Sequence, residues 1–272
     1  MSSSNRLYPV AEVPRLMSQL VFTRTLARTL QVVALTCLAL RALAADDIRI
    51  VTEELPPYNM TQDGRVTGMS TEVVQAVLKE VGITASIQSM PWARAYDMAL
   101  NSENVLIYSI TRTLQREKLF KWVGDIAPMH WYLFAKPGNA IRLDNLDDAR
   151  KYQIATVKED AGEQYLLSQG FLIGKNLQSS NKYQYNYDKL KLGRVDLWIS
   201  IELNALYLMR QAGDNPEKAV VRALKLPGLD GEHGLNMAFS LKTPDALVER
   251  FRKGLQSIHK NGTYDAILKK WL

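Results

Sequence analysis

From Ile48 onward the apolar and polar positions follow two alternating periods. IRIVT, residues 48–52, is a short apolar run of strand length, broken soon after by Pro56-Pro57. Past Gly68 and Ser70, Val73, Val74, Val77 and Leu78 recur at a helical spacing that stops at Gly82. ITASIQSMP predicts a second strand, and PWARAYDMALNSEN a short helix opened by Pro91, where a missing N–H costs nothing. NVLIYSI reads as a buried strand. The order β-α-β-α-β implies a parallel sheet with helices on both faces.

After APMHWYLFAKPGN the pattern restarts. YQIATV predicts a strand leading into a helix over KEDAGEQYLLSQG, and KYQYNYDKLKLGRV predicts a helix-and-turn region ending at Gly193. Within it, the alternation of Tyr183, Tyr185 and Tyr187 suggests one face of an extended stretch. DLWISI is a strand, ELNALYLMRQAG a helix closed by Gly213, and GLNMAFSL a last strand. Two helices close the chain, with Thr243 as N-cap, Pro244 at the first helical position and Gly262 between them. The chain thus holds two βα units in sequence, and a terminal segment able to rejoin either.

The formal charge of +6 on 272 residues looks at first like a footprint for a polyanion. Residues 1–45, however, carry five arginines and a single acid, Glu12, leaving 29 basic against 27 acidic residues. A net of +2 points to no nucleic-acid partner. Those first residues have the form of an export signal. Arg24 and Arg28 precede an apolar run, Arg41 interrupts it before it reaches membrane-spanning length, and Ala42-Leu43-Ala44 is a cleavage pattern. The expected signal peptide is 1–44, cut near Ala44 or Ala45, which places the mature chain in the periplasm. The one cysteine, Cys37, lies inside that signal, so no disulfide or thiol chemistry is expected of the mature protein.

Chemistry gathers where the predicted strands end. Glu53-Glu54 with Tyr58, Pro91-Trp92, and Ser109 to Arg116 follow three strands of the first half; Lys158 to Gly162 and Ser200 to Glu202 follow two of the second. In open α/β sheets ligands sit beyond the carboxyl ends of strands, and a helix start such as 160–162 attracts anions. Two halves with loaded edges facing each other make a cleft for a small polar solute. Hydroxyls beside an arginine suit a carboxylate, because the guanidinium is a planar two-toothed donor. Taken alone, the same residues also read as a helix N-cap at Thr111 or Thr113, with Arg116 in a surface pair with Glu117 or Asp125. Trp92 suits a pocket wall or the core, while Trp122, Trp131 and Trp198 read as packing. His130, His233 and His259 share no metal-ligand spacing, and no G-x-S-x-G, P-loop or G-x-G-x-x-G is present. No catalytic residue, metal or cofactor is expected.

SITRTLQREKLFKW, GRVDLWIS, NGTYDAILKKW and GRVTGMSTEVVQAVLKEVG resemble the family 3 extracellular solute-binding proteins, periplasmic receptors of the polar amino-acid type. The resemblance covers about 46–272. It implies an α/β, two-lobed periplasmic-binding-protein-like fold of type II, with two linker crossings and a mixed or parallel sheet in each lobe. Lobe 1 would be 45–134 plus 236–272, and lobe 2 135–235, with His130 and His233 near the crossings. By this likeness Arg116 grips a ligand carboxylate, with Ser109, Ile110 and Thr111 beside it and Trp92 and Tyr58 as walls; read from the residues themselves, Glu53 and Glu54 suit a ligand ammonium, or one of them simply caps structure. Asp160, Ala161 and Gly162 stand where the family begins a ligand-binding helix, and there the chain departs from the usual Gly-Thr type. A second departure is Ile201 at the position of the family's acid for the ligand ammonium, with Glu202 next to it as a substitute that strand alternation points the other way. A divergent, monomeric receptor is implied, delivering a solute to an ABC permease of the inner membrane by hinge closure. A ligand-presenting sensory subunit, or a dehydratase or lyase on the same scaffold, are the alternatives.

Overall fold

A computed structural model describes residues 48–230 and 234–272. The expected signal peptide and His233 lie outside these residues. Strand β1 (Arg49–Thr52) leads through a small hairpin, β2 (Met60–Gln62) and β3 (Arg65–Thr67), to helix α1 (Met69–Val81). Strand β4 (Ile87–Ser89), helix α2 (Trp92–Asn101), β5 (Val105–Thr111) and β6 (Phe120–Ala127) follow. The chain then builds β7 (Trp131–Ala135), β8 (Ile154–Val157), α3 (Ala161–Ser168), β9 (Leu177–Ser180) and α4 (Tyr183–Lys191). Next come β10 (Leu197–Ile201), α5 (Glu202–Gln211) and β11 (Val221–Lys225). It finishes with β12 (Leu235–Ser240), α6 (Asp245–Lys260) and α7 (Thr263–Trp271).

These strands form two five-stranded sheets, one per lobe, in the orders β4-β1-β5-β12-β6 and β11-β7-β10-β8-β9. Both are mixed. β1 runs parallel to β4 and β5, whereas β12 lies antiparallel between β5 and β6. In the second lobe β8 is parallel to β9 and β10, and β7 is antiparallel to β10 and β11. The chain crosses between lobes twice, from β6 to β7 and from β11 to β12. His130 sits in the first crossing, where its carbonyl accepts from the Glu202 N–H at 2.8 Å.

Every residue of β5 is buried, as expected for a strand covered on both faces. Its parity breaks at Ser109, however. Leu106 and Tyr108 pack into the cluster under α1 and α6, while Ile107 and Ile110 both belong to the cluster on the other face. The register against β12 shifts at the same point, from Tyr108–Met237 to Ile110–Asn236. Ser109 is therefore a bulge residue in left-handed backbone, φ 59°. The α6 stripe of Leu247, Val248, Phe251, Leu255 and Ile258 closes the first cluster, and Gly254 allows the approach to α1: a Cβ there would meet Val81 at 2.7 Å. Each such fully buried side chain contributes about 1.5–3 kcal/mol.

Four local expectations are corrected. Tyr183, Tyr185 and Tyr187 lie on helix α4 rather than on an extended face, so Tyr183 and Tyr187 are buried and Tyr185 is exposed. The stretch after Thr111 is a turn into β6, not a capped helix, with the Thr113 carbonyl accepting from the Arg116 N–H at 3.0 Å. Pro91 and Pro244 stand one residue earlier than expected, at the N-cap positions of α2 and α6. Thr243 does not cap α6, because its hydroxyl shares a 3.0 Å hydrogen bond with Ser240. Among the described residues no helix is long and apolar enough to cross a membrane.

Candidate functional site

The carboxyl end of β1 presents two adjacent glutamates to opposite sides. Glu53 turns inward and is buried; Glu54 is exposed, accepting from the Thr61 N–H at 2.9 Å and from the Ser89 hydroxyl. At the start of α2, Trp92 buries its ring, and its indole N–H donates to the Glu159 carbonyl across the cleft at 2.8 Å. The bulge at Ser109 sends both Ser109 and Thr111 toward the same space and leaves Ile110 in the core behind.

Arg116 follows on the turn, only 1% exposed. All three guanidinium nitrogens donate: Nε to Gln164 Oε1 at 3.0 Å, Nη1 to the Thr111 carbonyl at 3.3 Å, Nη2 to the Glu159 carbonyl at 3.1 Å. Its carbon lies 5.2 Å from the Trp92 ring centroid and 4.8 Å from that of Tyr96, a cation–π contact on each. The surface pair with Glu117 falls instead to Arg112, at 2.6 Å.

From the second lobe comes the helix α3 start. Glu159 holds φ 60°, its N–H tied to Glu163 Oε1 at 2.9 Å, so that its carbonyl faces Trp92 and Arg116. Asp160 is the N-cap of α3, accepting from the Glu163 N–H at 2.7 Å, and its second oxygen accepts from the Tyr183 hydroxyl at 3.2 Å. A small space of about 10 Å³ results between the lobes, lined by Glu53, Leu55, Trp92, Ser109, Thr111 and Arg116 from one lobe. Trp131, Asp160, Ala161, Tyr183 and Ile201 line it from the other. A crevice of about 300 Å³ adjoins it, sharing Glu53, Trp92 and Tyr183 and adding Glu54, Ser89 and Lys182.

The site is short of positive charge. Burial, then the neighbouring Asp160, raises the Glu53 carboxyl well above the carboxylate range. Burial likewise pushes Asp160 up to about 7, although the Glu163 N–H and Arg116 favour its ionised form. The Tyr183 phenol is raised by burial and by both carboxylates, and burial lowers Arg116. Ser109 Oγ is buried and has no hydrogen-bond partner.

Of the residues singled out from the sequence, Trp92, Ser109, Thr111, Arg116, Asp160 and Ala161 meet in this space, and Glu54 lines the adjoining crevice. Four others lie elsewhere. Tyr58 is fully buried behind the cleft, its hydroxyl donating to the Pro128 carbonyl at 2.9 Å. Ile110 packs in the core. Gly162 backs onto Trp131 and Ile199, leaving about 3.0 Å for any Cβ. Glu202 pairs with Arg222 at 2.5 Å. Sequence reasoning passed over Leu55, took Tyr183 for part of an extended face, and read Trp131 as packing alone. Among the described residues no cluster of His, Cys, Asp and Glu is arranged to hold a metal ion.

The family model for bacterial extracellular solute-binding proteins, family 3, matches residues 48–272. The chain is 22% identical over 219 residues to the L-cystine-binding protein TcyJ of Escherichia coli (strain K12), covering 79% of this chain and 78% of that one. It is 25% identical over 248 residues to the arginine-binding periplasmic protein of Mannheimia haemolytica, covering 84% and 92%. Among solved structures it resembles an ancestral arginine-binding protein bound to arginine, with a TM-score of 0.71 at 21% identity, covering 83% of this chain and 97% of that one.

Proposed function

The chain belongs to the bacterial extracellular solute-binding proteins, family 3, and on that premise we propose that it captures a small polar solute, an amino acid or a related compound, between its lobes. It then presents the closed complex to an ABC permease of the inner membrane and releases the solute unchanged. The observation that carries this reading is the space between the lobes, lined by six residues of one and five of the other. Ligand contacts on both sides stabilise the closed form, which the partner recognises. Cleavage near Ala44 delivers a monomeric mature chain to the periplasm. Residues 45–134 with 236–272 act as one rigid lobe and 135–235 as the other. Trp92, Ser109, Thr111 and Arg116 of the first, and Asp160 and Ala161 of the second, hold the solute.

A thermal-shift screen of residues 45–272 against amino acids, amines and organic acids tests this. A ligand at about 100 times its Kd adds about 2.7 kcal/mol of stability. The reading requires a hit that compacts the protein in small-angle scattering and is recovered chemically intact. Turnover of the hit, or stabilisation without compaction, would sink it.

A further inference from the structure

We propose that the solute is a small organic amine without a carboxylate, its ammonium held by Glu53 and Asp160 and by the hydroxyls of Ser109 and Tyr183. This inference rests on the solute-binding reading and narrows it. Two buried carboxyls face one guanidinium in the cavity, so an added ammonium balances the site, whereas an added carboxylate brings a third acid into it. The groups that would receive a carboxylate are in part engaged by the chain, three of the five Arg116 N–H donors among them. Each nitrogen of Arg116 donates to Thr111, Glu159 or Gln164, and the Glu163 N–H at the α3 start is taken by Asp160 itself. Asp160 thus occupies, with its own carboxylate, the place at the helix start where an anionic ligand group would sit.

What remains unsatisfied is open to an ammonium. Ser109 Oγ is buried, borders the cavity and has no partner, and a hydroxyl oxygen accepts readily from an ammonium. Trp92 and Trp131 also line the space, the Trp92 ring already carrying Arg116 and stacking on Tyr96. Ile201 closes the end of β10 with an aliphatic surface, which leaves Glu53, on the opposite lobe, as the acid for the ammonium. The space of about 10 Å³ has room for no more than one ammonium-sized group, so the rest of the solute lies in the adjoining crevice of about 300 Å³.

Titration calorimetry with matched pairs separates the possibilities: putrescine and ornithine, cadaverine and lysine, agmatine and arginine, histamine and histidine. Each amine is its amino acid without the carboxylate. The proposal expects at least one amine to bind ten-fold or more tightly than its partner, and Glu53→Gln to weaken that amine at least ten-fold. Ser109→Ala, which removes one hydroxyl, should weaken it several-fold and guards against a misfolded Glu53→Gln. If the amino acid binds as tightly or better in every pair, the amine assignment is overturned while solute capture stands. If neither member of any pair binds, the amine assignment falls and solute capture loses its support as well.

Discussion

The indole N–H of Trp92 donates to the Glu159 carbonyl at 2.8 Å, and this hydrogen bond joins one lobe directly to the other. Arg116 donates to the same carbonyl, and Asn204 reaches the Pro56 carbonyl at 2.7 Å on the far side of the cleft. The closed form therefore has bonds of its own, besides any that a ligand adds. Trp92→Phe keeps a ring over Arg116 and deletes one of these bonds, worth about 1 kcal/mol. The expected result is a roughly five-fold shift toward the open form without ligand, read as a larger radius of gyration in small-angle scattering. An unchanged radius would show that Trp92 is a wall and not a latch.

Arg116 should matter to stability as well as to binding. Arg116→Ala removes the guanidinium donor from the Thr111 carbonyl and Gln164, leaves the Glu159 carbonyl with Trp92 alone, and removes two cation–π contacts. Urea denaturation should show a loss of about 3 kcal/mol. Arg116→Lys keeps the charge but not the fork, and should fall between.

Asp160 gives the protein a pH signature. Unfolded, its carboxyl loses its proton near 4; folded, burial holds the proton until about 7. The unfolded state thus binds fewer protons over that window, so this contribution to stability is intact below pH 4 and is lost as pH rises to 7. Glu53, Glu163, Arg116 and Tyr183 face the group and are included in that shift. Asp160→Asn retains the N-cap oxygen. Chemical denaturation from pH 4 to 8 should show it gaining on the parent by on the order of 1 kcal/mol per pH unit up to 7. Parallel curves would refute the assignment.

Gly68 ties the cleft loop to its helix. It stands at φ 119° as the N-cap of α1, and the Pro57 and Tyr58 carbonyls accept from the Met69, Ser70 and Thr71 N–H groups of the helix start. A Cβ at Gly68 would lie 2.5 Å from the Tyr58 oxygen. Gly68→Ala should cost about 3 kcal/mol or more and displace the loop that carries Leu55 into the cavity. Differential scanning calorimetry measures the loss, and a Tm within a degree of the parent would contradict the packing.

Much of this was legible in advance, and the reasons it was or was not are local. β5, β8, β10 and β12 are continuous buried runs, and α1 and α6 carry clean helical stripes ended by Gly82 and Gly262. β2, β3, β6, β7, β9 and β11 were missed, LQSS and VRALK because they are half exposed and carry no strand period. In the cleft, hydroxyls, tryptophan and arginine at strand ends and helix starts were readable as a group. The choice between Glu53 and Glu54 was not, since one residue of strand register decides which faces inward. Tyr183 escaped because its reach depends on α4 packing beside β8, with a partner, Asp160, 23 residues earlier.

β12 has a consequence for the order in which the two sheets can be completed as the chain emerges, N-terminus first. The sheet of the second lobe is complete once β11 has emerged, since all five of its strands lie within 131–225. The other sheet lacks the strand between β5 and β6 until 235–240 arrive to pair with one on each side. The half of the molecule that starts first therefore finishes last, and until then two long, buried-type strand edges wait without a neighbour.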